Sequence, residues 1–70
     1  MKIDRKMEIK NRLKAIREQK NISQKELAEI LKINVYTVSK WETGVRTPDD
    51  EHLDQIARAL CVKKEYLLGL

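Results

Sequence analysis

The sequence predicts an all-α domain built from five short helices. Helix-favouring residues, chiefly Leu, Ile, Ala, Lys and Glu, dominate the 70 residues. Only two glycines and one proline are available for turns, which argues against an all-β fold. Apolar residues recur at intervals of three and four along most of the chain, and this spacing places them on one face of an α-helix. A chain of this length forms a single domain with a modest core.

The composition and the single cysteine limit the class of protein. The chain is 41% apolar and 37% charged, a balance typical of a folded, soluble domain. Apolar runs stay far short of the roughly 18 residues that a membrane-spanning helix needs. The charged start, residues 1–6, lacks the apolar stretch of a secretion signal. Cys61 has no partner for an internal disulfide, so we expect a protein of the reducing cytoplasm.

Positive charge is concentrated in the first two thirds of the chain. Residues 1–48 carry 12 Lys and Arg against 6 Asp and Glu, whereas residues 49–70 carry 3 against 5. A basic portion joined to an acidic end indicates one electropositive side, which suits a polyanion such as nucleic acid. Charge alone leaves open whether this asymmetry only keeps a surface solvated.

The first helix is predicted over residues 8–19. Ile9, Leu13 and Ile16 fall on one stripe, and Asn21 tolerates the left-handed conformation that ends a helix. Residues 1–7 form a basic leader that we expect to be flexible, although it could instead extend the first helix, and residues 8–70 form the domain.

The second helix is predicted over residues 24–31, starting at a capping box. In such a box the Ser23 hydroxyl accepts from the amide of Glu26, and the Glu26 carboxylate accepts from the amide of Ser23. A third helix over residues 35–42 follows closely, with Asn34 as its N-cap and Gly44 just past its end.

The last two helices are predicted over residues 50–60 and 63–68. Pro48 disfavours helix before Asp49, which is the candidate N-cap of the fourth helix. Four apolar side chains then share one face: Leu53, Ile56, Ala57 and Leu60. In the fifth helix, Tyr66 and Leu67 are the expected core contacts.

The second and third helices together predict a helix-turn-helix. Two short helices joined by a turn of three or four residues are the skeleton of this motif. The helices must cross closely, and the small side chain of Ala28 permits this. The motif is held to the domain by four apolar side chains: Leu27, Leu31, Val38 and Trp41. The third helix can then stand out from the surface and enter the major groove of DNA.

Several blocks of this sequence stand at a consistent spacing that is typical of a known family. The blocks are Gln24-Lys25-Glu26-Leu27-Ala28, Val38-Ser39-Lys40-Trp41-Glu42-Thr43-Gly44, Arg46-Thr47-Pro48, Leu53 with Ile56-Ala57-Arg58-Ala59-Leu60, and Val62 with Tyr66-Leu67-Leu68. Together they resemble the lambda-repressor/Cro-like (Xre) family of helix-turn-helix proteins, and the resemblance covers residues 8–68.

The resemblance implies a role for ten residues. Those that match positions facing base edges are Val35, Tyr36, Ser39 and Lys40. Those that match positions contacting the DNA backbone are Gln24, Asn34, Thr43 and Arg46. Arg17 and Glu42 match an ion pair that ties the first helix to the end of the third.

These side chains suit the implied roles chemically. Lys40 can donate to O6 and N7 of guanine, and Val35 can contact only an apolar group such as the thymine methyl. Tyr36 can hydrogen-bond a base or a phosphate, or pack on a thymine methyl. The residues that match backbone-contacting positions carry hydrogen-bond donors that suit phosphate oxygens. Contacts to phosphate position a protein on DNA without reading its sequence.

The sequence departs from the family pattern at four positions. Lys32 stands in the turn where glycine is common, so the turn is expected to be strained or less tight. Asp50 stands where an apolar residue is usual, which would thin the contact of the fourth helix with the core. Cys61 replaces a frequent glycine, and Lys63 replaces a usual capping residue.

The predicted function is sequence-specific regulation of transcription. We expect a repressor of phage, plasmid or mobile-element type in a bacterium, acting as a twofold dimer on a near-palindromic operator in double-stranded DNA. The alternative is an antitoxin or protein-interaction module with the same fold.

An enzyme is not expected. The lone His52 and Cys61 have no companions for a metal site, and no glycine-rich loop is present to hold phosphate. The acidic run at 49–54 is better explained as a capped helix start. We therefore expect no metal, no cofactor and no membrane.

Overall fold

The computed structural model of the protein describes residues 5–69, with side chains described from residue 12 onward. It confirms the all-α prediction. The described part contains five helices and no strand: α1 (Arg5–Gln19), α2 (Gln24–Leu31), α3 (Val35–Thr43), α4 (Asp50–Leu60) and α5 (Lys64–Leu68).

The predicted helix bounds agree closely with the structure. The bounds of α2 and α4 are those predicted, while α3 ends one residue later and α5 begins one residue later than expected. Helix α1 begins at Arg5, three residues before its predicted start. The first four residues of the predicted leader lie outside the described residues, and the flexibility of the leader stays a prediction.

The predicted capping box is present at the start of α2. The Ser23 hydroxyl accepts from the amide of Glu26 at 3.0 Å, and the Glu26 carboxylate accepts from the amide of Ser23 at 3.0 Å. Side-chain caps also form at Asn34 and at Asp49, whereas Lys63 makes no side-chain cap. Three of these helix starts are therefore fixed by local sequence.

The cap of α4 titrates in acid. The Asp49 carboxylate accepts from the backbone N–H of His52 at 2.9 Å, and chiefly this hydrogen bond holds the pKa of Asp49 below its usual range. Such a carboxyl stabilises the fold above its unfolded-state pKa of about 3.9. That stabilisation disappears as the pH falls through the lower folded-state pKa.

We therefore expect Asp49→Asn to flatten the acid dependence of stability. Asparagine keeps a capping oxygen but does not titrate. As the pH is lowered from about 5 to about 2, the free energy of unfolding of the Asp49→Asn variant, measured by urea denaturation, should fall less than that of the wild type. The control Glu29→Gln, at an exposed carboxylate in the last turn of α2, should follow the wild type. Parallel losses in wild type and Asp49→Asn would contradict the assignment.

Three residues other than glycine end helices or turns in the left-handed conformation. Asn21, Lys32 and Cys61 each have φ of 58°, and Gly44 has φ of 82°. Asn21 and Gly44 were predicted in this role. The turn between α2 and α3 is tight in spite of the lysine, because the backbone amide of Lys32 donates to carbonyls in the last turn of α2. The missing glycine thus leaves backbone strain at Lys32 and not a looser turn.

Lys32→Gly should stabilise the protein. Glycine adopts positive φ without the Cβ clash, so we expect a gain of about 1 kcal/mol in the free energy of unfolding. Lys25→Gly, in the first turn of α2, is the control and should lose a similar amount. A loss of stability in Lys32→Gly would mean that the lysine side chain contributes more than its backbone costs.

The core lies between the inner faces of all five helices. Its buried members include Leu13, Ile16, Leu27, Ala28, Val38, Trp41, Ile56, Ala57, Leu60 and Leu67. Helix α1 packs against α3 and α5, and α2 packs against α3 and α4. Asp50 is exposed, and Lys64 Nζ lies 3.6 Å from its carboxylate. An ion pair therefore joins α4 to α5 where the family usually has an apolar residue.

The prediction that Tyr66 lies in the core is wrong. Its side chain is 45% exposed, while the neighbouring Leu67 is fully buried. The guanidinium of Arg12 lies over the Tyr66 ring, 5.0 Å from its centroid. A cation above an aromatic face is favourable at the surface, so the ring bridges α1 and α5 from outside.

Candidate nucleic-acid interface

A tight turn sets α3 across α2. Three residues, 32–34, separate the two helices, and the amide of Ile33 donates to the carbonyl of Ala28 at 2.9 Å. Ala28 itself is buried, as a small residue at a close helix crossing is expected to be. The residues thus form the helix-turn-helix that the sequence indicated.

Helix α3 has a buried face and an exposed face. Val38, Trp41 and Glu42 are buried, and they attach the helix to the domain. Tyr36 is 71% exposed, and Lys40 is exposed one turn further on. Residues four apart share a helix face, so Tyr36 and Lys40 project together from the protein.

The other two predicted base-reading residues are less available. Val35 is partly buried and packs against the core, and Ser39 is half-buried. Because they are four residues apart, they form a second stripe beside Tyr36 and Lys40. Val35 therefore offers only part of its side chain to a ligand.

Three of the four predicted phosphate contacts lie at the ends of α3 and in the loop after it. The Asn34 side-chain oxygen accepts from the amide of Tyr36 at 2.8 Å, which leaves its NH2 group to donate outward. The Thr43 hydroxyl donates to the carbonyl of Lys40 at 3.3 Å and must turn away to reach a phosphate. Arg46 is exposed in the loop. Next to it Val45 is 67% exposed, an apolar loop residue that the sequence analysis did not single out.

The predicted Arg17–Glu42 pair is present and buried. Arg17 Nε donates to Glu42 at 2.7 Å, and a second nitrogen of the guanidinium donates to the other carboxylate oxygen at 3.1 Å. A third guanidinium nitrogen donates to the carbonyl of Ile22 at 2.7 Å. Arg17 is 8% exposed and Glu42 7%. The hydrogen bond to Glu42 raises the pKa of Arg17 despite burial, so the guanidinium stays charged.

Gln24 joins this buried pair to the surface. Its amide nitrogen donates to Glu42 Oε1 at 3.0 Å, while its side chain is only partly buried. Gln24 was expected to contact phosphate alone, because its bond to Glu42 joins residues 18 positions apart and leaves no sign in the local sequence. One N–H of the amide is held by Glu42, and the second is free to donate to a phosphate.

The first turn of α4 packs against the inner face of α3. The rings of Trp41 and His52 lie 5.3 Å apart between centroids and are tilted by 57°. His52 Nδ1 lies 2.8 Å from the Asp49 carboxylate. The buried side of α3 is thus supported by α1 through Arg17 and by α4 through His52.

Comparison with known proteins identifies the class to which the fold and this surface belong. The sequence pattern of the helix-turn-helix family matches residues 13–67. The chain therefore belongs to this family of DNA-binding transcriptional regulators, of the Xre or lambda-repressor-like type, and the resemblance found in the sequence is confirmed.

Two relatives illustrate the family. The HTH-type transcriptional activator BcrR of Enterococcus faecalis is 37% identical over 63 residues, which cover 90% of this chain and 31% of BcrR. The HTH-type transcriptional regulator ImmR of Bacillus subtilis is 36% identical over 63 residues, which cover 90% of this chain and 50% of ImmR. This chain thus spans 31% of the length of BcrR and 50% of the length of ImmR.

The described residues contain neither a membrane-spanning helix nor a cluster of metal-binding side chains. Among residues 5–69, helices long and apolar enough to cross a membrane are absent. Among residues 12–69, whose side chains are described, His, Cys, Asp and Glu form no group of three or more that could hold a metal ion.

Proposed function

We propose that this protein binds double-stranded DNA sequence-specifically by placing α3 in the major groove, and that it regulates transcription from the site it occupies. The observation that carries the proposal is the outward projection of Tyr36 and Lys40 from a helix whose opposite face is anchored in the core. A helix held in this way fits the width of the major groove.

The reading residues in this proposal divide by chemistry. Lys40 donates to guanine, while Tyr36 and the exposed part of Val35 contact thymine methyl groups. Ser39, half-buried beside them, offers a hydroxyl to a neighbouring base. Such contacts carry sequence information because each base pair presents a distinct pattern in the major groove.

The positioning residues hold phosphates on both sides of α3. Gln24 and Asn34 donate amide N–H groups near the start of the motif, and Thr43 and Arg46 donate after its end. Because Gln24 is held by the buried Arg17–Glu42 pair, its remaining N–H group is pre-oriented for a phosphate oxygen.

We further propose a twofold dimer on a near-palindromic operator, with half-site centres about 34 Å apart. Repression would follow from occupying a promoter in a bacterial cytoplasm. One relative is named an activator, so the sign of regulation needs its own test. A reporter gene carrying the selected operator should fall in expression when the protein is supplied, and a rise would overturn repression.

Selection of bound sequences from a random duplex library tests the core of the proposal. We expect a motif with approximate twofold symmetry and an affinity that falls steeply with salt. Each phosphate contact should contribute about −0.9 to the slope of log K against log salt concentration. A motif without symmetry would contradict the proposed dimer but not the proposed DNA binding. No motif, together with an affinity independent of salt, would contradict DNA binding and favour the protein-interaction alternative.

A further inference from the structure

An open groove lies between the end of α2 and the side of α4. Its volume is about 440 Å³, within the range of roughly 300–1,000 Å³ typical of ligand sites. Six residues line it: Ile30, Leu31, Lys32, Gln55, Arg58 and Ala59. We call this feature the α2–α4 groove. No residue proposed to contact DNA lines the groove, although Lys32 lies in the turn two residues before Asn34.

The floor of the groove is apolar and exposed. Ile30 is 53% exposed, although it lies beside Leu31 and Ala59, which pack partly against the core. A large aliphatic side chain left in water beside other apolar surface marks a candidate contact for a partner. Isolated exposed apolar residues carry no such meaning, but here a cavity accompanies the side chain.

The charges on the groove have one sign. Lys32 and Arg58 are its only charged lining residues, and both are exposed, at the carboxyl ends of α2 and α4. Lys32 adopts a left-handed conformation in which glycine would be less strained. The cation at this position is therefore accompanied by a lower stability of the fold. Gln55 adds a neutral side chain that can donate and accept.

We propose that the α2–α4 groove binds an acidic amphipathic helix of a partner protein. The apolar floor suits the aliphatic stripe of such a helix, and Lys32 and Arg58 suit carboxylates that flank the stripe. Helix-in-groove recognition works in this manner, with apolar anchors supplying contact area and charges fixing orientation. The surface would let the protein bind DNA and a partner at once.

A labelled synthetic peptide provides the probe. Its leucines recur every third and fourth residue, and glutamate and alanine fill the remaining positions. The matched peptide has lysine in place of each glutamate. Measured by fluorescence anisotropy, the glutamate peptide should bind saturably and the lysine peptide at least about tenfold more weakly, as expected for loss of a charge-assisted contact.

Variants of the groove separate binding from folding. Arg58→Glu and Ile30→Glu should each weaken the glutamate peptide about tenfold or more. Lys14→Glu makes the same charge reversal on α1, which packs against α3 and α5, and should bind the peptide as the wild type does. Lys32→Gly removes a cation while relieving backbone strain, so weaker binding by a more stable protein cannot be attributed to misfolding.

Several results would overturn the proposal. These are equal binding of both peptides, no saturation with the glutamate peptide, or equal weakening by Lys14→Glu and Arg58→Glu. Sedimentation of the protein alone supplies another test. If the wild type self-associates and Ile30→Glu is monomeric, a second copy of this chain occupies the groove and the proposed partner is wrong.

Discussion

Glu42→Gln should lower the free energy of unfolding by about 3–5 kcal/mol, because it leaves the Arg17 guanidinium buried without a counter-charge. The pair is nearly inaccessible and doubly hydrogen-bonded, so water cannot replace the lost carboxylate. For a domain of this size the thermal midpoint should fall by at least about 12 °C. Differential scanning calorimetry near neutral pH measures both quantities.

A surface pair gives the matched control for this loss. Asp54→Asn breaks the contact with Lys64, in which Nζ lies 3.5 Å from an exposed carboxylate, and should cost less than about 1 kcal/mol. The double variant Arg17→Met with Glu42→Leu should lose less free energy of unfolding than the single variant Glu42→Gln does, because the double variant leaves no charge buried. If Asp54→Asn and Glu42→Gln lose equal amounts, burial of the Arg17–Glu42 pair does not matter energetically.

Lys40→Ala should relax discrimination at one base position of the selected operator, at a cost of roughly 1–3 kcal/mol in binding free energy. Lys40 is exposed on the same face of α3 as Tyr36, so its removal leaves the core and the Arg17–Glu42 pair unchanged. Binding to the operator and to each single-base variant, measured at two salt concentrations, reports the change.

Arg46→Ala provides the contrast. A phosphate contact carries no sequence information, so this variant should weaken all operators alike and reduce the salt slope by about 1. Lys63→Ala removes an exposed cation at the start of α5, remote from the motif, and should leave both affinity and slope unchanged. Identical behaviour of Lys40→Ala and Arg46→Ala would contradict the division between reading and positioning residues.

The parts of the fold that were predictable depend on short stretches of sequence. The Ser23–Glu26 capping box, the Asn34 cap and the glycine after α3 are each decided within a few residues. Apolar spacing located α2 and α4 for the same reason. The family resemblance supplied the Arg17–Glu42 pair, which spacing alone could not provide across 25 residues.

The features that were missed depend on contacts between distant segments. Tyr66 belongs to a residue type that is often buried. Its ring instead lies at the surface under the guanidinium of Arg12, a residue on a distant segment. The hydrogen bond from Gln24 to Glu42 likewise requires knowing how α2 meets α3. The α2–α4 groove is lined by residues from two separate segments, and nothing in either segment alone indicates it.

The position of Trp41 gives the protein an intrinsic optical reporter. It is the sole tryptophan of the chain, and its indole is buried on the inner face of α3 beside the His52 ring. Its emission therefore follows the detachment of α3 from the domain and needs no attached dye. Each variant discussed above retains this indole, so a shift of its emission to longer wavelength would distinguish a loosened α3 from a changed DNA contact.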